Sequence, residues 1–159
     1  MRTVVLEGDN ILLGRSRFLS FNAPDDCRIF PLGVIDVEAY KVVEGVNWVV
    51  SGYITLGAIV EGSEVLIRVK VSNPYKKLDL NNFLKRRGKR KGMIEIGGHR
   101  GAYVLKSTRK GLLKSRKLTE LTICFYCDKT RRKIEIIIEA EREEDVLKAM
   151  DMMLTASCH

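Results

Sequence analysis

Apolar residues recur at every second position along much of the chain. Ile35, Val37 and Ala39 alternate with Asp36, Glu38 and Tyr40. Val65, Ile67, Val69 and Val71 alternate with Glu64, Leu66, Arg68 and Lys70. Leu121, Ile123, Phe125 and Cys127 alternate with Thr122, Cys124 and Tyr126. Ile134, Ile136 and Ile138 alternate with Glu135, Ile137 and Glu139. A period of two puts successive side chains on opposite faces of an extended chain, so each run predicts a strand with one face turned to a core. The stretch from Val46 to Val60 is apolar on both faces and predicts either one central strand or two strands turning near Ser51-Gly52. Short polar segments separate the runs: Glu61-Gly62-Ser63, Gly97 to Gly101, and Asp128 to Arg131. Connections this short imply antiparallel hairpins, because a parallel crossover needs a dozen or more residues.

Two segments carry a helical pattern instead. The first begins near Asn73-Pro74, with Pro at the first helical position, carries Leu80, Phe83 and Leu84, and stops at Gly88. The second runs from about Glu143 to Ser157. Its first turn is acidic, and Val146, Leu147, Met150, Met153 and Leu154 form one apolar stripe that predicts packing on the sheet. The elements together predict one α+β domain over residues 1–159. Its antiparallel sheet has about seven strands, with one mid-chain helix and a C-terminal amphipathic helix packed on the sheet. In element order, with Phe21-Asn22-Ala23-Pro24 leading into the strands and an amphipathic helix closing the chain, it resembles the PsbP-like α+β sandwich. That resemblance implies a non-catalytic binding or accessory protein and assigns no site residue.

Length and composition agree with this picture. A chain of 159 residues with 45% apolar and 30% charged residues fits one globular domain that needs no metal or disulfide merely to fold. The N-terminus is too short in apolar residues and too acidic for a signal peptide. The longest uncharged run, Gly45 to Val60, is shorter than a membrane span. A cytoplasmic protein without membrane attachment is the expectation. Glutamine is absent while Lys, Arg and Glu abound, a composition similar to that of thermophile proteins.

Charge changes the picture most. The formal net charge is +8, but residues 1–75 carry −2, residues 76–133 carry +15 and residues 134–159 carry −5. The central block holds Lys85-Arg86-Arg87 with Lys89-Arg90-Lys91, then Arg109-Lys110 with Lys114, Arg116 and Lys117, then Lys129 with Arg131-Arg132-Lys133. A concentrated positive field attracts polyanions, above all nucleic-acid backbone. The same residues could equally be a solvated face that the acidic C-terminal segment neutralises. Lys85, Arg86, Arg87, Lys89, Arg90 and Lys91 are the main candidate phosphate contacts, with Arg100, Arg131 and Arg132 extending them across two hairpin turns. Tyr103 and Tyr126 could stack bases if exposed.

The remaining chemistry is sparse. Gly97-Gly98-His99-Arg100-Gly101 matches the G-x-x-G spacing of KH loops, but strands flank it where KH places helices. It is either a hairpin whose glycines supply positive φ, or a turn presenting Gly97, Gly98, His99 and Gly101 to an anion. Cys124-Phe125-Tyr126-Cys127 has zinc-knuckle spacing, and Cys158-His159 could complete a ligand set. In one extended strand, however, positions 124 and 127 point to opposite faces, so no metal and no cofactor is expected. Cys127 lies on the core face, and Cys158, four residues after Leu154, lies on the apolar stripe of the last helix. The two are predicted either to form a disulfide or to remain buried thiols. No nucleophile elbow or His-Glu-x-x-His motif occurs. The sequence therefore predicts a non-catalytic nucleic-acid-binding protein. A module that binds an acidic protein partner is the first alternative. A metal-dependent hydrolase built from Glu95, His99 and Asp128 is the second.

Overall fold

A computed structural model describes residues 1–10, 14–41, 48–72, 78–111 and 115–159. The expected helix start at Asn73-Pro74, together with Tyr75 and Lys114, lies outside the described residues. A hairpin of β1 (Arg2–Asn10) and β2 (Gly14–Ala23) forms a two-stranded sheet of its own. The main sheet has seven strands: β3 (Arg28–Lys41), β4 (Trp48–Val60), β5 (Ser63–Ser72), β6 (Arg90–Ile96), β7 (His99–Lys110), β8 (Arg116–Cys127) and β9 (Arg132–Ala140). Two helices complete the described elements, α1 (Leu80–Phe83) and α2 (Glu143–Met153). The architecture is α+β with sheet dominant, and every strand pair is antiparallel.

The order across the main sheet is β3-β4-β5-β9-β8-β7-β6. Two meanders, β3-β4-β5 and β6-β7-β8-β9, are thus joined by the pairing of β5 with β9. The apolar run ending at Val60 is a single strand from Trp48, with no turn at Ser51-Gly52. Ile67 and Val69 of β5, Ile134, Ile136 and Ile138 of β9, and Leu121, Ile123 and Phe125 of β8 share one face and are fully buried. Burying each such side chain is worth about 1.5–3 kcal/mol. Helix α2 and the β1–β2 hairpin cover this face, contributing Val146, Ala149 and Met153 from the helix and Phe18, Leu19 and Phe21 from the hairpin. Of the stripe predicted for the C-terminal helix, Val146, Met150 and Met153 pack on the core with Ala149 and Met152 beside them, whereas Leu147 and Leu154 are half-buried outside that cluster.

Both helices are shorter than their patterns suggest. Helix α2 stops at Met153, capped by Leu154, because the chain beyond it is taken up by the hairpin. Ser20 and Ser157 form a β-bridge through two backbone hydrogen bonds of 2.8 and 2.7 Å, and the Asn22 N–H donates to the Thr155 hydroxyl at 2.8 Å. Helix α1 is a single turn on the opposite face of the sheet. Asp79 caps it, accepting from the N–H groups of Asn81 and Asn82 at 2.9 and 3.2 Å. Consecutive Asn residues and the nearby Gly88 favour neither extension nor a long helix. Phe83 seats on Ala102, Val104 and Cys124 to form a second, smaller apolar cluster. Asp79→Ala is expected to cost about 1 kcal/mol. A denaturant titration reads that cost, and faster thiol labelling of Cys124 would show that the cap holds Phe83 over it.

Candidate functional site

Candidate chemistry gathers at the two ends of the main sheet. At one end the segment after α1 meets the β7–β8 hairpin. The Lys89 N–H donates to the Leu105 carbonyl at 2.7 Å, and Arg90 lies opposite Leu105 across the β6–β7 pair. Beyond Leu105, strand β6 no longer accompanies β7, and beyond the last β8–β9 pair, Thr119–Ala140, residues 108–110 project with residues 116–118 as a two-stranded arm. Two of the three basic clusters predicted from sequence therefore come together here. The third lies in the β8–β9 turn at the other end of the sheet.

The acidic C-terminal segment answers much of this charge. Glu143, in the first turn of α2, holds Lys89 at 2.7 Å and also Arg90. Glu139 of β9 is buried and holds Arg68 and Lys110, each at 2.5 Å. Glu120 holds Lys106 at 2.8 Å, Glu141 holds Arg116, and Glu135 holds Arg86 at 3.3 Å while the Arg86 guanidinium lies over the Phe83 ring. The central position of β9 makes this possible, since it brings acids from residues 134–145 against the basic strands on either side. Lys85, Arg87, Lys91, Arg109 and Lys117 remain exposed, without a carboxylate partner among the described residues. Arg109 and Lys117 stand directly opposite each other across the arm, as do Lys110 and Arg116.

Arg132 does not belong to any such surface. It is buried, donates to the Arg17 carbonyl at 3.0 Å, and sets its guanidinium near the Phe18 ring. Arg131 is exposed in the β8–β9 turn with φ of 54°, and Arg100 is exposed opposite Glu95. Both lie at the far end from the arm. Tyr103 packs half-buried against the main core and Tyr126 is half-buried, so neither is the open stacking platform the sequence allowed for.

The far end holds the second constellation. Gly97 and Gly98 form the β6–β7 turn with φ of 58° and 76°, the left-handed pair of a two-residue hairpin. The hairpin explanation of these glycines is the one the geometry supports. His99 is half-buried and turned toward the protein rather than toward an anion in solvent. Its ring stacks on Phe125 with centroids 6.1 Å apart, and its Nε2 lies 3.3 Å from Cys158 Sγ. His159 Nδ1 lies 3.4 Å from the same sulfur and 3.8 Å from Cys127 Sγ. The donor atoms of His99, Cys127, Cys158 and His159 all fall within 4.8 Å of one another. Neither Glu95 nor Asp128 belongs to this group, so the predicted hydrolase trio is not assembled.

Electrostatics distinguish the two sulfurs. Burial opposes ionisation of Cys127. Hydrogen bonding from Cys158 and from the backbone N–H groups of Thr130 and Lys129 nonetheless holds it below the ordinary thiol value. Burial, with the neighbouring Cys127 sulfur, pushes Cys158 up to about 12. Burial lowers the pKa of Arg132, and the sulfurs of Cys127 and Cys158 pull it the other way. Desolvation and the neighbouring Lys129, His99 and Arg17 hold His159 below the usual imidazole value.

Strand alternation sends Cys124 to the face opposite Cys127, beneath Phe83, as their spacing requires, and burial pushes its thiol up to about 12. Cys158 reaches Cys127 from the tail after α2, not from the helix stripe. All four cysteines are free thiols in this structure. The residue not foreseen in this cluster is His99. Its only sequence signal is that a β6–β7 hairpin and a β8–β9 hairpin in one meander turn at the same end of the sheet. No helix among the described residues is long and apolar enough to cross a membrane. No family model, curated protein or solved structure matches this chain.

Proposed function

We propose that this chain is a non-catalytic binding protein whose ligand is the sugar–phosphate backbone of a nucleic acid, held at the end of the sheet where the segment after α1 meets the β7–β8 arm. The observation that carries this reading is the like-charge cross-strand pair Arg109–Lys117. Directly opposed like charges destabilise a strand pair, so an arm that keeps them gains from a polyanion that neutralises both. The neighbouring pair Lys110–Arg116 is already satisfied by Glu139 and Glu141. Lys85, Arg87 and Lys91 add exposed charge, and the revised contact set excludes Arg100, Arg131 and Arg132.

Equilibrium binding of a labelled single-stranded oligonucleotide across a salt series tests the reading. The logarithm of the affinity is expected to fall linearly with the logarithm of salt concentration, with a slope of about 0.7 per phosphate contact. The double variant Arg109→Glu/Lys117→Glu is expected to lose about tenfold or more and to flatten the slope by about two contacts. Arg131→Glu, at the far end, is expected to change little. Binding that ignores salt, or that the arm variant leaves intact, would refute the proposal.

A second reading, a protein partner, is favoured by one feature. A groove of about 540 Å³ at the same end is lined by Phe30 and Leu32, exposed at 42% and 55%, and by Arg116 and Arg142, each paired to an acid of the same lining, Glu141 and Asp145. Phosphate backbone has no use for the apolar half of that groove. A Leu32→Glu variant that keeps oligonucleotide affinity separates the two surfaces.

A further inference from the structure

We propose that His99, Cys127, Cys158 and His159 form a closed, structural zinc site that fastens the segment after α2 to the turns at the far end of the main sheet. This goes beyond the polyanion reading and does not depend on it.

The geometry comes first. Zinc binds thiolate sulfur at about 2.3 Å and imidazole nitrogen at about 2.0–2.1 Å in a tetrahedral shell, so its donor atoms lie roughly 3.3–3.8 Å apart along the edges of the tetrahedron. The three donor separations of 3.3, 3.4 and 3.8 Å fall on those edges. The other donor separations are within 4.8 Å, so an ion draws those atoms in by about 1 Å or less. Three stretches of chain that are remote in sequence supply the donors: the first residue of β7, the last residue of β8, and the tail. Packing alone does not call for two imidazoles to close on two buried sulfurs at the rim of an apolar core.

The surroundings are also those of a metal ligand set. Cys127 is the last residue of β8, and the left-handed Arg131 closes the turn that follows it. Phe125 stacks under the His99 ring with an interplanar angle of 18° and fixes its plane. His159 meets His99 edge-on, with centroids 5.6 Å apart, so the two rings can present nitrogens to one point without stacking on each other. The buried Arg132 stands directly opposite Cys127 across the β8–β9 pair.

One contact opposes the ion. The Lys129 ammonium lies 3.0 Å from His159 Nε2. With metal on Nδ1, that nitrogen carries the ring proton and repels the ammonium. Lys129 is exposed in a turn, so its side chain turns out to water on loading.

Donor chemistry selects the ion. Two thiolates and two imidazoles disfavour magnesium and calcium, which take oxygen, and suit zinc. Four protein donors complete the tetrahedron and leave no open position for water or substrate, so the ion is structural and carries no hydrolysis. The sequence expectation of no metal followed from treating Cys124 and Cys127 as the obligatory pair. His99 takes the place that Cys124 cannot reach.

The test uses the full chain purified under reductant. Metal analysis is expected to find about one zinc per chain. The metal-free protein titrated with cobalt is expected to develop the intense visible bands of a tetrahedral thiolate complex, saturating at about one equivalent and bleached by added zinc. Cys158→Ala and His99→Ala are expected to lose those bands. Cys124→Ser, on the other face, is expected to keep them. Three results would overturn the proposal: only the weak bands of octahedral cobalt, equal loss of the bands in Cys124→Ser and Cys158→Ala, or a Cys127–Cys158 disulfide in protein kept under reductant. If the ligand variants fail to fold, the wild-type cobalt spectrum and the Cys124→Ser control still decide.

Discussion

Phe125→Ala is expected to destabilise the protein by about 3–5 kcal/mol. The side chain is fully buried. It lies between Gly101 on β7 and Ile134 on β9, its partners on either side in the sheet, and its ring carries the plane of His99. Truncation removes the transfer free energy of the ring and leaves a cavity that Gly101, with no side chain, cannot fill. A domain of this kind has only about 5–15 kcal/mol in hand, so the variant is measured by denaturant unfolding at low temperature. The milder Phe125→Leu is expected to remain folded and to bind cobalt more weakly than wild type, because His99 loses the flat surface that orients it. A cost below about 1 kcal/mol for Phe125→Ala would contradict the packing described.

The second large effect is a contrast between adjacent glycines. Gly97 and Gly98 both have positive φ, and an alanine at either incurs a backbone penalty of about 1–2 kcal/mol. Their surroundings differ. A Cβ on Gly97 would stand 2.6 Å from the Ala156 carbonyl oxygen, whereas a Cβ on Gly98 meets nothing within 4 Å. The clash at Gly97 is with backbone, which cannot rotate aside as a side chain can. Residues 156–158 must therefore move, taking with them the Ser20–Ser157 bridge and the sulfur of Cys158. Gly97→Ala is expected to cost at least about 1 kcal/mol more than Gly98→Ala in thermal or denaturant unfolding. It is also expected to impair cobalt binding, while Gly98→Ala leaves the spectrum intact. Equal costs and equal spectra would show that the tail does not rest on this turn.

What could be read from the sequence was whatever a period of two decides. Strands β5, β8 and β9 alternate without interruption, and their buried faces are the ones the alternation marks. The β1–β2 hairpin was not legible, because its register slips between Leu6 and Glu7 and the apolar positions Val4, Val5 and Leu6 no longer alternate. The extent of α2 was misjudged because Leu154 continues the stripe, while Thr155 and Ser157 are recruited by β2, a competition no local pattern reveals. The basic block was legible as charge but not as surface. Its partial neutralisation depends on β9 lying between β5 and β8, a pairing between elements far apart in sequence. The Cys/His cluster was half visible. Cys127, Cys158 and His159 were all weighed, but spacing rules look along the chain, and His99 arrives from a neighbouring strand.

The join between β5 and β9 has a kinetic consequence. Each meander is built from hairpins, whose closure needs short loops and takes microseconds. The β5–β9 pairing, which matches Leu66 with Glu139 and Val71 with Ile134, encloses nearly the whole second meander. The Asn22–Thr155 contact spans 133 positions. Long enclosures are entropically costly to close before any contact rewards them, so folding is set by these two events and falls in the millisecond-to-second range of high-contact-order β proteins. The two halves of the sheet form first and wait for each other, with the inner edges of β5 and β9 unpaired in the interval. In that interval the chain is most exposed to pairing with another copy of itself.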